Sequence, residues 1–489
     1  MKEFWEFWEN NKDSAVIAAI VIGLVAIIVA LIAKEKKKRQ PPEPQNINVN
    51  TPVTVNVPVT VTAPTAAAPE PAPPAAEPPQ PKPKRLNYNY RRALVCEEQN
   101  DYRKALEHYR KAAEEYGDDT LDQAMAFIAA GIMCRTLAQY DDAINFYLQA
   151  QAIYVDDPTA NQLDLAGIYN NLANVYGDQG KHDEALRWYH KALSIKEKAL
   201  DKEHPSTAGT YNNIGEAHRH KGEHVKALEW LFKALAVREK ALGKENSDTA
   251  GTYNNIAAVY HSQGKYYDAL EWSFKALAIK EKELGKEHPS TAGTCNNIAT
   301  AYASQREYDD ALEWFLKALA IKEKMLGKEH PDTAATYNNI AIVYNDKEEH
   351  CKALEWHFKA LKVREKALGK EHPDTATTYN NIAVVYDTKG ECDKALKWFF
   401  KALKVYKKAL GKEHPNMAAT YCNIANVYCN QEKYDDAFKL YLEAYCVFMD
   451  KLGKDHPSTT KCLDNMRITY KASGAVQPFD DWLAAQLNS

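Results

Sequence analysis

HPDTATTYNNIAVVYDTKGECDKALKWFFKALKVYKKALGKE, His372 to Glu413, is the stretch that decides the fold. Nearly the same words occur again along most of the chain. The Tyr-Asn-Asn triplet or its equivalent begins at Tyr169, Tyr211, Tyr253, Cys295, Tyr337, Tyr379 and Tyr421, a constant step of 42 residues. A fixed period of this length marks stacked helical units, each too small to bury its apolar face alone. Two helices are predicted per unit. In helix A, Tyr379, Ile382, Ala383 and Tyr386 fall at i, i+3, i+4 and i+7, one face of a 3.6-residue period. It starts after Pro373 and runs to about Thr388. The slot of Asp374 holds Ser206, Asp248, Ser290, Asp332, Asn416 and Ser458 in the other units, short polar residues able to accept the amide hydrogens of a first turn. Helix B is predicted from near Asp393 to Leu410, where Gly411 offers a left-handed cap and Pro415 forbids continuation. Its stripe is Ala395, Leu396, Phe399, Ala402, Leu403, Tyr406 and Leu410, with lysines opposite. Ala383 and Ala395 let the two helices approach, and Phe399 fills the gap.

The order Tyr379, Ile382, Ala383, Tyr386, Ala395, Phe399, Ala402 resembles the tetratricopeptide repeat. The long unit, LGKEHP between units and TYNNIA in helix A, is similar to the subgroup of kinesin light chain and nephrocystin-3. The resemblance covers roughly Leu86 to Ser473. It implies an all-α, right-handed superhelical solenoid whose helices A line a concave, peptide-binding face. Alanines 105, 143, 185, 227, 269, 311, 353, 395 and 437 mark about nine hairpins, the first two imperfect. Ser458–Lys471 reads as a further helix A. Within a C-terminal capping segment, 474–489, Asp480–Leu487 reads as a short helix closing the open end; PFDDWL, Pro478–Leu483, has a second reading as a Trp-acidic peptide folded back into the groove.

The N-terminal region has a different composition. Met1–Ser14 is aromatic and slightly acidic. Ala15–Ala33 is 19 residues without a polar or charged side chain, about 28 Å as a helix, close to the roughly 30 Å of a bilayer core. Lys34, Lys36, Lys37, Lys38 and Arg39 follow, in a basic flank over 34–39. A single membrane pass is expected, N-terminus outside and solenoid cytoplasmic. A cleaved signal peptide is the rival reading, but the start is not basic and the apolar core is long. Residues 40–85 read as a Pro/Ala/Val-rich spacer of up to about 140 Å. Its NINVNTPVTVNVPVTVT alternates like a strand, though Pro52 and Pro58 favour a linker.

Net charge is −4, which argues against a nucleic-acid partner. Nine irregularly spaced cysteines read as free thiols. No phosphate loop, His-Glu-x-x-His or Cys-x-x-Cys is present, and the His-Pro steps recur with the repeat, so we expect no catalysis, metal or cofactor. By analogy with tetratricopeptide domains, the candidate partner surface is a second stripe beside the core one: Thr377, Asn380, Val384 and Asp387. Across units it carries Asn170, Asn212, Asn254, Asn296, Asn338 and Asn380, amides able to give and take hydrogen bonds along an extended peptide backbone. A purely structural ladder is the other reading. The adjoining Asn171, Asn213, Asn255, Asn297, Asn339 and Asn381 are expected to bridge helices. The expected function is a membrane-anchored adaptor for a peptide or protein; the alternative is a scaffold whose solenoids self-associate.

Overall fold

The computed structural model describes residues 86–117, 120–156 and 161–487. Ala15–Ala33 and the 40–85 spacer lie outside the described residues, and no described helix is long and apolar enough to cross a membrane. Among the described residues twenty helices follow one another, eighteen of them in nine hairpins. These pair α1 (Tyr88–Glu98) with α2 (Tyr102–Glu115), α3 (Leu121–Thr136) with α4 (Tyr140–Asp156), and α5 (Gln162–Asp178) with α6 (His182–Leu200). Then come α7 (Pro205–His220) with α8 (His224–Leu242), α9 (Ser247–Ser262) with α10 (Tyr266–Glu283), and α11 (Pro289–Ser304) with α12 (Tyr308–Met325). The last three pair α13 (Pro331–Asp346) with α14 (His350–Ala367), α15 (Pro373–Thr388) with α16 (Cys392–Ala409), and α17 (Pro415–Asn430) with α18 (Tyr434–Leu452). Two single helices close the stack, α19 (Pro457–Ala472) and α20 (Phe479–Leu487).

The helices start differently from the sequence-based expectation. The cap is not Asp374 or its equivalents but the histidine two places before. His372 is extended at φ −81°, ψ 138°, and its Nδ1 accepts from the Asp374 amide at 3.0 Å. His204, His288, His330, His414 and His456 do the same, and Asn246 substitutes with its side-chain oxygen. Proline follows because the first helical position needs no amide hydrogen. A backbone amide can only donate, so each of these rings holds Nδ1 bare and its proton on Nε2.

Alanines make the hairpins tight. Ala227, Ala311, Ala353, Ala395 and Ala437 are fully buried, as are Ile214, Ile256, Ile298, Ile340 and Ile382 opposite. Two polar rows then stitch regular hairpins to their neighbours, and a third ties helix B to the loop that precedes its own helix A. The tyrosine of the triplet reaches back to helix B: Tyr211 to Glu197 at 2.6 Å, Tyr253 to Glu239 at 2.8 Å, Tyr337 to Glu323 at 2.7 Å, Tyr379 to Glu365 at 2.6 Å. On the outside, Lys324 pairs with Glu287 at 2.5 Å and Lys408 with Glu371 at 2.6 Å; these are exposed and worth little each. Inside, a cation on helix B bonds a carbonyl of the next helix A. Arg238 Nη1 donates to Asp248 O at 2.7 Å, Lys322 Nζ to Asp332 O at 3.2 Å and Arg364 Nη1 to Asp374 O at 2.7 Å. Tyr406, read from sequence as core, holds this place in its repeat and bonds Thr377 at 2.8 Å. At the end of the stack, Trp482 of α20 packs on Phe438 and Tyr470, both at 4.9 Å between centroids, and Leu483 is buried there.

The stack also coils back on itself. His372 Nε2 meets Thr136 O at 3.1 Å, 236 residues away, between five and six repeat lengths. Arg103 donates to Leu368 O at 3.0 Å. Gly180 lies against His414 and Pro415, and Gly222 against His456. The A-to-B turns of the second, third and fourth repeats thus rest on the histidine caps of α15, α17 and α19.

Candidate interaction groove

The coil encloses a lumen walled by the inner sides of helices A and by the histidine caps. Its cavity is about 660 Å³ and runs from Arg135 and Asp178 past Asn296, Asn297 and Arg364 to His414. Each helix A carries two adjacent asparagines, the first and the second of the triplet, whose rows take different places relative to this lumen.

The first asparagine row largely turns out of the lumen. Asn212, Asn254, Asn338 and Asn380 are almost wholly buried, and Asn170 nearly so. The Nδ2 of Asn254 donates to Thr294 at 2.8 Å, that of Asn338 to Thr378 at 3.0 Å and that of Asn296 to Thr336 at 3.4 Å. Asn380 accepts from Thr420 at 3.2 Å. Every one of these partners belongs to the next hairpin. The row joins hairpins, and apart from Asn296, which is half-buried on the lumen wall, it offers a peptide no open face. The physical reason is rotation: the next helix A covers this side of the helix. Val384 packs at the edge of a core cluster. Asp387 is buried against Asn430, and burial pushes its carboxyl up to about 6.

The second row, expected to bridge helices, includes residues that face the lumen. Asn297 and Asn339 line it. The Nδ2 of Asn297 has no acceptor within the chain, nor do those of Asn171 and Asn381. Beside it, Asn296 Oδ1 has no donor, and the buried Arg364 keeps Nε unpartnered. The wall therefore includes two adjacent asparagines, each with one buried amide atom left without a partner.

Charges along the wall are largely internally matched. Arg135 forks onto Asp178 at 2.6 and 3.3 Å, and Arg219 onto Glu216 at 3.0 Å. Burial raises the Asp178 carboxyl although Arg135 pulls it down. Burial lowers Lys322 and Arg364. Among the described residues no group of three His, Cys, Asp or Glu is placed to hold a metal ion. The wall can present hydrogen bonds and fixed charges.

The inner cation row escaped the sequence reading. Its signal was present: Lys196, Arg238, Lys280, Lys322 and Arg364 stand at the 42-residue step that ends on Tyr406.

Comparison with known proteins agrees with the repeat. The profile of the tetratricopeptide repeat matches residues 84–154, 164–240, 248–324, 294–366, 332–408, 389–447 and 416–477. No curated protein matches the chain. Among solved structures, a putative kinesin light chain of Podosopora anserina with nearly identical TPR-like repeats is 26% identical, covering 42% of this chain and 96% of that one, with a TM-score of 0.35. BtubC of P. vanneervenii is 20% identical over 49% of this chain and 93% of its own, TM-score 0.38. A Rap protein complexed with Competence and Sporulation Factor is 13% identical over 72% and 99%, TM-score 0.46.

Proposed function

The chain belongs to the tetratricopeptide repeat family, whose hairpin stacks serve protein–protein interaction, and from that premise we propose a membrane-anchored adaptor that holds an extended peptide in its lumen. The apolar Ala15–Ala33 segment with its basic flank supports the anchor and a cytoplasmic solenoid. One observation carries the peptide reading. Asn296 and Asn297 both line the lumen, and Asn296 Oδ1 and Asn297 Nδ2 are buried with no partner in the chain, as polar atoms rarely are. Rotation of the two amides towards the lumen would offer a peptide unit both an acceptor and a donor.

The test is selection of binders from a phage-displayed random dodecapeptide library on the full chain, followed by affinity measurement. Losing two hydrogen bonds of roughly 0.7 kcal/mol each in Asn296→Ala/Asn297→Ala predicts about a tenfold weaker Kd. Unchanged affinity in that variant, with the selected peptides still bound, rejects the site. A scaffold is the second reading, and one feature favours it. Phe232, Phe274, Leu316, Phe358 and Phe400 form an exposed row at the repeat step on helices B. Concentration-dependent assembly of the full chain, abolished by Phe274→Ser/Phe358→Ser, identifies that case.

A further inference from the structure

We propose that the joint where the coil meets itself is an acid-released latch, closed while its histidines are neutral and opened by protons, and that it regulates entry to the lumen. The last clause rests on the peptide reading above; the opening itself does not.

The joint is built from three equivalent contacts. His372 Nε2 meets Thr136 O, Gly180 faces His414 and Pro415, and Gly222 faces His456. In each, the ring caps its own helix through a bare Nδ1 and turns its opposite edge, led by Nε2 in His372 and by Cδ2 in His414 and His456, towards the other turn of the coil. A single added proton lands on Nδ1. It removes the cap acceptor and puts a buried cation into the joint, a cost that the Thr136 and Asp178 carbonyls facing the His372 and His414 rings offset only in part.

The surroundings of these rings are unfavourable to that charge. His182 and His220 stack at 5.7 Å with rings 12° apart, and both face His456, as does His224. Lys221 and Arg219 also face His182, and Arg219 Nη2 lies 3.0 Å from His220 Nε2. Asp183 is the opposing charge, but it is bonded to Lys221 at 2.6 Å; Glu216 holds Arg219, and Glu223 lies 3.6 Å from Lys221. His414 faces His182 and the Asp178 backbone. His372 faces Asp374, Asp178 and Arg364, and Asp178 is itself spent on Arg135. Burial holds His182 and His456 down to about 4 and His414 to about 3, helped at His182 by Lys221 and Arg219 and at the other two by a neighbouring histidine. Once released, the same rings regain an ordinary value of about 6.5. Opening therefore takes up protons between about pH 6.5 and 4, and acid drives it. Several rings share the joint, so the response is steeper than one titration.

Glycine supplies a proton-independent route to the same state. A Cβ on Gly222 comes within 2.8 Å of the His456 ring, whereas one on Gly264, with the same positive φ (+74° and +73°), meets nothing within 4 Å. Asparagine tolerates that backbone, so Gly222→Asn and Gly264→Asn carry the same local strain and differ only in the wedge.

The experiment is hydrogen–deuterium exchange on the full chain without ligand at pH 7.5 and 5.5, corrected for intrinsic rates. Exchange should rise about tenfold or more at pH 5.5 around 136–140, 178–182, 220–224 and the caps at 372, 414 and 456. The turns at 262–266 and 304–308 and the cap at 288 should keep their protection. His182→Gln/His220→Gln/His456→Gln, whose side chains stay neutral, should blunt the response, and Gly222→Asn should open the joint at pH 7.5 while Gly264→Asn does not. Uniform loss of protection, no change at pH 5.5, an undiminished response in the glutamine variant, or identical behaviour of the two glycine variants overturns the latch. If circular dichroism shows the glutamine variant unfolded at pH 7.5, the glycine pair decides alone. Absence of a peptide ligand for the lumen leaves all of these readings intact.

Discussion

Replacing the first-row asparagines one at a time should produce three different losses of stability, because the three sites are wired differently. At Asn254, Nδ2 bonds Thr294 at 2.8 Å but Oδ1 is buried without a partner. Alanine there loses one good bond and also removes an orphan acceptor, so the net cost is about 1 kcal/mol. Asn296 makes a longer bond, 3.4 Å, and is half-buried, so its cost is about 0.5 kcal/mol. Asn338 uses both ends. Its Nδ2 donates to Thr378 at 3.0 Å, and its Oδ1 accepts from His357 Nδ1 at 2.8 Å. His357 is 1% exposed and held neutral, its pKa pushed down to about 3 by burial. Alanine at Asn338 leaves that ring with an unpaired buried N–H, for a total of about 3 kcal/mol. Urea unfolding of the full chain, followed by circular dichroism, gives the three values. The orphan can then be removed separately. Phe315 and Phe399 occupy the His357 place in neighbouring repeats, so phenylalanine fits. Asn338→Ala/His357→Phe should recover about 1–2 kcal/mol relative to Asn338→Ala. Equal losses at the three sites, or no recovery in the double variant, refute the wiring.

The caps and the buried carboxylate give two further expectations. His288→Ala removes only a helix cap and should cost about 1 kcal/mol, whereas His372→Ala also loses the bond to Thr136 and should cost about 2 kcal/mol, measured in the same urea titration. Asp387→Asn should stabilise the protein by about 1–3 kcal/mol at pH 7.5. The folded carboxyl titrates near 6, above its ordinary 3.8, so the penalty of the buried charge is complete above pH 6 and vanishes towards pH 4. The melting temperatures of wild type and variant should therefore converge as the pH falls through that window; a constant gap contradicts the assignment.

The hairpins were legible because seven repeats bury the same positions, and repetition averages out local accident. Tyr379, Ile382 and Ala383 could only face inward. The cap was misplaced by two residues because histidine is an unusual choice there; the useful clue was Asn246, a common cap residue standing where the other copies carry His. The inner cation row was missed because His372–Glu413 departs from its neighbours at Tyr406. The asparagine rows were harder. Neighbours in sequence lie about 100° apart on a helix, and a one-helix projection shows which positions flank the core but not which flank the following hairpin covers. Asn254 went under that hairpin and Asn297 stayed in view. Return of the coil onto itself depends on small rotations summed over several repeats, which no local pattern encodes. Gly222 reads as a turn residue like Gly264, yet only Gly222 has His456 above it.

Interchangeable units that each bring the same His-Pro step have a genetic consequence. A recombination event that excised one internal 42-residue module would advance the caps in register, so His414 would take the seat of His372 over Thr136. The spiral would come out shorter yet still find its own rim. Copy number in such a gene is then free to drift by whole modules, while a loss of half a module is not tolerated.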